Sequence, residues 1–329
     1  MTFAVHGSMA NEHHAYRSVI SRRWLVLAMV TSTALVAIMM LANRLVVNPD
    51  NWGLWAALVP CAALGLLRHK TRLGTTAGQM RLRDFSEHGI TLIVICLLGA
   101  LASYEAACDT SGFADAELAK CDRILHFNWL TWYGVVVRHP TLQHLGAGVY
   151  STIWVTPWLL ITYLAWMGNR PAARRFLFTF WLSIVLTLLL FPLFPAKGPL
   201  DYLWHGPIPY MPTNGLYQGE IIPALRAHIM TRIDIGSVKG LVCAPSFHTV
   251  SAVVFIASVW PYRILRRFLV PLNLAMLMAT PVEGTHYLSD MILGLGVALV
   301  AIALVQLGEK MLAQPHGMRA STAPPFRRI

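Results

Sequence analysis

Two histidines in the last third of the chain stand beside groups that suit phosphate chemistry. His248 closes the motif Pro-Ser-Phe-His, directly before a long apolar run, and His286 precedes Asp290 by four residues. Positions i and i+4 share one face of a helix, so the carboxylate can hold one imidazole nitrogen and leave the other as a nucleophile. His248 has no such partner, which favours it as the acid that protonates a leaving oxygen.

Each histidine also has a purely structural interpretation. Ser246 can cap a helix and leave His248 solvated, and His286 with Asp290 can be a pair that only satisfies itself at a helix end. Ionisable residues at membrane depth are costly, however, and are functional by default. The topology derived below puts both histidines at one surface, which favours a shared site for phosphoryl transfer.

Such a site needs cations and N–H donors for the phosphate oxygens. The amide and hydroxyl of Ser246 lie at a helix N-terminus, where an anion can bind. Arg226 is the favoured cation, with Lys197 second; the other candidates on that side are Arg232 and Lys239. The five cysteines lack metal-ligand spacing, so we predict neither a metal nor another cofactor.

The composition identifies an integral membrane protein. Only 12% of the 329 residues are charged and 56% are hydrophobic, whereas a soluble domain carries roughly 25% charged residues. The net charge of +11 is explained by cytoplasmic loops rich in Lys and Arg, not by nucleic-acid binding. We therefore predict an all-α fold and a lipid partner.

Eight segments are long and apolar enough to suggest membrane helices of about 20 residues. They are residues 24–45, 52–67, 89–107, 145–167, 176–195, 246–262, 268–285 and 286–307. Every even-numbered connection is basic, and so are the residues before the first segment and the end of the chain. The positive-inside rule then places both termini in the cytoplasm and both histidines on the external, periplasmic side of the cell membrane.

The predicted organisation has four parts. These are a cytoplasmic segment 1–23, N-terminal membrane helices 24–107, a phosphatase-like membrane domain 108–310 and a flexible basic tail 311–329. Among the external residues, Trp129, Trp132 and Tyr133 suit an interfacial helix at the headgroup level, although an ordinary loop stays open. An oxidising exterior would also permit a Cys108–Cys121 disulfide.

Three stretches resemble the type 2 phosphatidic acid phosphatase superfamily, in particular its inositol phosphorylceramide synthase-like branch and bacterial relatives. They are Phe-Pro-Ala-x-Gly-Pro at 194–199, Pro-Ser-Phe-His-Thr at 245–249 and Ala-Thr-Pro-Val-x-Gly-x-His-Tyr-x-x-Asp at 279–290. The resemblance spans roughly residues 122–296. It implies a six-helix phosphatase-type core toward the C-terminal half and a metal-independent reaction through a phosphohistidine.

The resemblance also implies roles for individual residues. His286 would be the nucleophile, Asp290 its orienting group, His248 the acid/base and Ser246 a phosphate ligand. Phe247 and Thr280, which stand in the matching motifs, complete the predicted phosphate-binding set. The wider superfamily has an arginine where this chain has Thr280, but the synthase-like branch shares the threonine.

Two functions from different classes follow. The first is a lipid phosphatase or phosphotransferase, whose acceptor is water or a polyol head group. The second is a non-catalytic transporter or binding protein, which would be expected to use polar residues near the bilayer midplane. The notable ionisable residues gather at one membrane face instead, which favours the enzyme.

Overall fold

The computed structural model describes residues 20–50 and 52–313. The predicted N-terminal segment and C-terminal tail therefore lie largely outside the described residues. Thirteen α-helices occur in the described part of the chain: α1 (Arg22–Asn43), α2 (Trp52–Lys70), α3 (Ala77–Cys108), α4 (Asp115–Ile124), α5 (Trp129–Val137), α6 (Pro140–Tyr150), α7 (Thr156–Trp166), α8 (Arg170–Leu190), α9 (Pro199–Leu203), α10 (Gln218–Arg226), α11 (Phe247–Val259), α12 (Arg263–Glu283) and α13 (Leu288–Ala313). Strands β1 (Val46–Val47) and β2 (Arg232–Ile233) pair in parallel, a small departure from an all-α fold.

Four of these helices are long and apolar enough to cross a membrane: α1, α3, α8 with the 3₁₀ turn that follows it, and α13. These helices support the prediction of a membrane protein. Of the remaining predicted spans, α2, α11 and α12 are helical, but α11 has only 13 residues and α12 carries arginines in its first turns. The number of eight spans stays a prediction.

The predicted fourth span is not one straight helix. It consists of α6, a 3₁₀ turn at Ser151–Trp154 and α7, and the two α-helices meet at an angle of 47°. Pro157 lies in the first turn of α7, where proline is tolerated because its missing N–H would be unpaired there. The pair counts as a fifth candidate span if the two helices cross together.

Ion pairs gather at one end of the bundle. They are Arg22–Glu87 (2.9 Å), Arg68–Glu87 (3.3 Å), Arg170–Asp84 (2.7 Å) and Arg175–Glu309 (3.2 Å). Glu309 belongs to the last turns of α13, and Asp290 belongs to its first turn. A helix rises 1.5 Å per residue, so these two acids lie roughly 28 Å apart along the axis. The basic connections and the His286–Asp290 pair therefore occupy opposite ends of the bundle, and the cytoplasmic orientation of the basic end stays a prediction.

Small residues let α13 pack closely against α11. Gly294, Ala298 and Ala301 follow at helical spacing and are buried. A Cβ atom on Gly294 would lie 2.6 Å from the Ser246 carbonyl oxygen, so a larger residue would push the two helices apart. Close approach through small residues is a common way to pack membrane helices. Here it brings the two histidine motifs together.

Two aromatic side chains of α5, those of Trp129 and Tyr133, pack inside the protein rather than on its surface, and the interfacial position of the helix stays a prediction. Trp129 is 2% exposed and Tyr133 is 0% exposed. The Trp129 indole donates to the Pro281 carbonyl oxygen at 2.7 Å, and the Tyr133 hydroxyl donates to the Tyr210 carbonyl oxygen at 2.6 Å. Buried indole and phenol groups need such partners. The end of α12 and the segment between α9 and α10 supply them. Trp132 is half-buried.

Cys108 and Cys121 are free thiols in the structure, so the possible disulfide between them is not formed. Cys108 ends α3 and its thiol donates to the Tyr104 carbonyl oxygen of the preceding turn at 3.4 Å. Cys121 is exposed on α4.

Candidate active site

His286 and Asp290 form a buried pair at the start of α13. His286 Nδ1 lies 3.0 Å from Asp290 Oδ1, and the two side chains are 4% and 0% exposed. His286 precedes the first helical residue rather than lying within the helix as predicted. The carboxylate still accepts a hydrogen bond from Nδ1–H, and the lone pair of the ring then lies on Nε2. This is the tautomer that a nucleophilic imidazole requires.

Asp290 also joins the two histidine motifs. Its Oδ2 accepts the Tyr287 amide N–H at 2.8 Å, and the Cys243 thiol lies 3.6 Å from the same atom. The Asp290 carbonyl oxygen accepts the Ser246 amide N–H at 3.1 Å. The side chain and the backbone of one residue therefore fix the turn that carries His286 and the segment that carries His248.

The turn before His286 has an unusual backbone. Thr285 has a φ of 51°, which is in the left-handed region that β-branched residues avoid. Gly198 packs against this turn, since a Cβ atom there would lie 2.7 Å from the Thr285 carbonyl oxygen. A residue in such a region costs about 1–3 kcal/mol and is characteristic of functional sites. The strain here places the His286 ring.

His248 lies in the first turn of α11 and faces His286. The two ring centroids are 6.4 Å apart, with an interplanar angle of 54°. Tyr150 stacks on the His248 ring at a centroid distance of 3.8 Å and an angle of 14°. A reacting group that stands about 3–3.5 Å from each partner fits between two rings at this separation. The rings are thus spaced for one phosphoryl group.

Both histidines line one end of a cavity of about 220 Å³. Lys239 and Asn214 line the cavity with them, and the rest of its wall is mainly apolar and extends between α3, α7, α8 and α11. Asn214 is held in place by two hydrogen bonds. Its backbone N–H donates to the Glu283 carbonyl oxygen, and its side-chain amide donates to the Gly284 carbonyl oxygen. The cavity therefore joins a polar end, which contains the histidines and Asn214, to a long apolar part. Lys239 lines it within the run 238–242, and its ammonium group lies 5.5 Å from the ring centroid of Tyr217.

Two of the predicted phosphate ligands serve the backbone instead. Ser246 is 0% exposed, its hydroxyl accepts the Thr249 amide N–H at 3.4 Å, and its own amide is bound to Asp290. The Thr280 hydroxyl donates to the Met276 carbonyl oxygen at 2.7 Å. Neither hydroxyl faces the cavity. Phe247 does line the cavity, but with an aromatic ring that packs 5.9 Å from the ring of Phe180.

The two favoured cations, Arg226 and Lys197, are not among the described residues that line the cavity. Arg226 donates to Thr110 Oγ1 at 2.8 Å and to the Gly112 carbonyl oxygen at 2.7 Å, and partial burial lowers its pKa. Lys197 and Arg226 both approach the ring of Phe113, at 5.3 Å and 4.7 Å. Arg226 is therefore used to hold the segment between α3 and α4. Among the described lining residues, Lys239 is the cation.

Two buried acids on α4 position the start of α13. The Asp122 carboxylate accepts the amide N–H groups of Leu288 at 3.0 Å and Ser289 at 2.8 Å. The Asp115 carboxylate accepts the Tyr287 hydroxyl at 2.9 Å and two backbone amides of the 194–199 motif, both at 3.0 Å. Burial raises the pKa of Asp115, and these donors partly offset the shift. A carboxylate at a helix N-terminus is also favoured by the helix dipole.

Cys243, His286 and Asp290 bring three potential metal ligands within 4.8 Å of one another. Thiolate, imidazole and carboxylate suit zinc. Here the Nδ1–carboxylate distance is that of a hydrogen bond, and burial together with the Asp290 charge raises the pKa of the Cys243 thiol, which keeps the sulfur protonated. Metal binding would have to displace both protons, so the arrangement favours an oriented imidazole over a metal centre.

A family model described as the PAP2 superfamily matches residues 116–304, which is more than half of the chain. The chain belongs to the PAP2 superfamily. The match runs from the first turn of α4 into α13 and includes both histidines and Asp290. Members of the PAP2 superfamily are generally phosphatases. Comparisons with curated proteins and with solved structures return no match.

Sequence reasoning missed Tyr150 and Asp122 within the PAP2 match and Asp115 directly before it as site residues, and it ranked Lys239 below two other cations. Asp115 and Asp122 are seven residues apart, so they share one face of α4, and that spacing was readable from the sequence. Tyr150 gave no such signal, because its contact with His248 joins distant parts of the chain.

We expect Asp122→Ala to lower the free energy of unfolding by about 2–4 kcal/mol, because two amides bonded to a buried carboxylate would lose their acceptor. Activity should fall as well, because the first turn of α13 would no longer hold His286 in place. Thermal unfolding in detergent and phosphate release measure the two effects. Glu117→Ala, which removes an exposed acid from the same helix, should change the stability by no more than about 0.5 kcal/mol. Equal effects of both variants would contradict the proposed role of Asp122.

Proposed function

We propose that this protein is a lipid phosphatase or phosphotransferase that works through a phosphohistidine on His286. The observation that carries the proposal is the placement of two facing histidines, one oriented by a buried carboxylate, at the polar end of an apolar cavity. A phosphate ester with a hydrocarbon tail matches both parts of that cavity.

In the first step, Nε2 of His286 attacks phosphorus and forms a P–N bond. The bond from phosphorus to the leaving oxygen breaks, and protonated His248 gives its proton to that oxygen. Asp290 keeps the Nδ1 hydrogen bond and stabilises the positive charge that develops on the ring. The products are a phosphohistidine, a neutral His248 and the dephosphorylated lipid alcohol.

In the second step, His248 acts as a base. It takes a proton from water, whose oxygen attacks phosphorus while the P–N bond breaks, and inorganic phosphate leaves. If a hydroxyl of a polyol replaces water, the phosphoryl group passes to that oxygen and the product is a polyol phosphate instead. A phosphodiester lipid forms only from a phosphodiester donor, because the phosphohistidine then keeps the head group until a lipid hydroxyl attacks phosphorus and the P–N bond breaks. The resemblance to the inositol phosphorylceramide synthase-like branch favours transfer, and hydrolysis is the simpler activity.

The side of the membrane is part of the proposal. The site lies at the opposite end of α13 from the cluster of ion pairs that joins the basic connections. If those connections are cytoplasmic, the site faces the exterior or the periplasm. The described chain also supports the enzyme over a transporter, because its buried histidine pair is at one end of the bundle rather than at mid-depth.

Lys239 is proposed as the cation that binds the phosphate, in place of Arg226 and Lys197. We expect Lys239→Ala to raise KM for a lipid phosphate about tenfold, since charge-assisted hydrogen bonds contribute about 1.5–3 kcal/mol. Lys239→Arg should recover part of the loss, because it restores the charge. Steady-state kinetics on the purified protein measure both values. Lys197→Ala is the matched control, and a larger effect of that variant would contradict the assignment.

The function itself is tested by incubating purified wild-type protein with a panel of lipid phosphates, with and without inositol. Released inorganic phosphate and inositol phosphate are scored in the same samples. Inorganic phosphate alone identifies a phosphatase, and inositol phosphate identifies a transferase. If neither product forms with any lipid phosphate, the proposed function is wrong.

A further inference from the structure

We propose that the apolar part of the cavity binds one hydrocarbon chain of the substrate inside the helix bundle, with the chain entering from the bilayer beside the break between α6 and α7. This inference rests on the proposed function, which places the phosphate at the two histidines. It adds a substrate class, namely phosphate esters whose chain length is measured by the protein.

One wall of this channel is a single face of α3. Leu92, Cys96, Gly99 and Ser103 follow one another at helical spacing, and all of them line the cavity. From Leu92 to Ser103 the helix rises roughly 16 Å. Since α3 ends on the side of the histidines, the channel runs from the site toward the middle of the membrane, and Leu92 is its deepest residue on this helix.

The two hydroxyl groups of the apolar wall already donate hydrogen bonds within their own helices. The Ser103 hydroxyl donates to the Ala100 carbonyl oxygen at 2.7 Å, and the Thr187 hydroxyl donates to the Ser183 carbonyl oxygen at 2.8 Å. These hydroxyls therefore need no hydrogen-bond acceptor from a molecule bound in the cavity. A polar ligand would lose its hydrogen bonds to water without replacement, whereas a hydrocarbon chain loses none.

The charges along the cavity fix the orientation of the occupant. Lys239, Asn214 and the two histidines all lie at one end. An anionic head group is complementary to this end, and an apolar tail is complementary to the remainder. An amphiphile with one negative end thus fits in a single direction, with its ester oxygen at His248.

The broken span supplies an entrance. Ile153 and Trp154 from the 3₁₀ turn, and Pro157 and Trp158 from α7, also line the cavity. Trp154 is 70% exposed, so this side of the channel meets the lipid-facing surface of the bundle. Because of the 47° bend, α7 does not continue along the axis of α6 beside the channel. A chain can pass at this point without leaving an apolar environment.

Chain length is the quantity that tests the inference. Each buried methylene contributes about 0.8 kcal/mol, or roughly fourfold in kcat/KM, until the channel is full. Ala100→Leu adds a side chain to the part of the channel nearest the histidines and should close off its deeper part. Leu92→Ala opens the deep end and should move the preferred chain length upward. The two variants therefore have opposite expected effects.

The experiment measures phosphate release from n-alkyl phosphates, from butyl to hexadecyl, at one mole fraction in mixed micelles. The readout is the ratio of kcat/KM for dodecyl and butyl phosphate within each variant, which does not depend on how much protein is folded. Ala100→Leu should lower this ratio about tenfold or more. Gly296→Leu is the control, because it adds the same side chain to α13 where nothing lies within 4 Å, and it should keep the wild-type ratio.

The two possible failures are distinguishable. If wild-type protein releases phosphate from none of the alkyl phosphates or lipid phosphates, the proposed function fails. If it releases phosphate but both channel variants keep the wild-type chain-length profile, the chain binds elsewhere and this inference is overturned while the function stands.

Discussion

His286→Ala should reduce phosphate release from lipid phosphates by a factor of ~10⁴ or more, since removal of a nucleophile leaves only substrate binding and general polarisation. Its Nε2 is the atom left free when Nδ1 donates to Asp290 at 3.0 Å. The variant should also yield no phosphoenzyme when the reaction is quenched in alkali, which preserves phosphohistidine. Quantitative phosphate release and mass spectrometry of the quenched protein are the measurements.

His144→Ala is the matched control, because His144 is an exposed histidine of α6 and should keep the wild-type rate. Asp290→Asn tests the orienting role separately. An amide can donate to Nδ1 and favour the other tautomer, so we expect a loss that approaches that of His286→Ala. If His286→Ala kept its phosphoenzyme while His248→Ala lost it, the two histidines would have exchanged roles.

The local part of the site could be predicted from the sequence. His286 and Asp290 are four residues apart and make the predicted contact, although His286 lies in the turn before α13 rather than in the helix. The Ser246 cap was one of two interpretations, and the structure has it, because a serine before an apolar helix pairs with amides three residues later whatever the rest of the fold does. Interactions of short sequence separation depend little on tertiary context.

The phosphate cation could not be predicted in this way. Arg226 and Lys197 were favoured among four cations that are predicted to lie on the same side as the histidines. The side of the membrane does not determine what a guanidinium binds. Arg226 donates hydrogen bonds to Thr110 and Gly112, which are more than a hundred residues away in sequence. Lys239 reaches the cavity through the packing of the segment between β2 and α11 that carries it. These are long-range contacts that carry no periodic signal.

The break between α6 and α7 was also missed, for a different reason. Hydropathy averages over a window of about 19 residues, so it reports one span wherever apolar residues continue. The turn at Ser151–Trp154 is itself apolar in part, and Pro157 was the local sign of a helix start. The apolar character of the segment was therefore predicted correctly, and its shape was not.

His248→Ala is expected to lower the turnover of lipid phosphates by about 10²–10⁴, which is the usual contribution of a general acid or base. The loss should depend on the leaving group. An alkoxide needs the proton of His248 to leave, whereas nitrophenolate is stable without it. With 4-nitrophenyl phosphate the first step should therefore stay fast in the variant, and only the second step should be slow.

The measurable consequence is a burst. His248→Ala should release nitrophenol in an amount close to that of the active sites and then turn over slowly, because no base activates water against the phosphohistidine. Stopped-flow absorbance follows the burst, alkaline quenching followed by mass spectrometry locates the phosphate on His286, and His144→Ala again serves as the control. If the variant lost activity equally toward lipid phosphates and 4-nitrophenyl phosphate and formed no phosphoenzyme, His248 would serve only to position the His286 ring. A burst instead requires that His248 act on the leaving oxygen and on water. This role fits the separation of 6.4 Å between the ring centroids of His248 and His286.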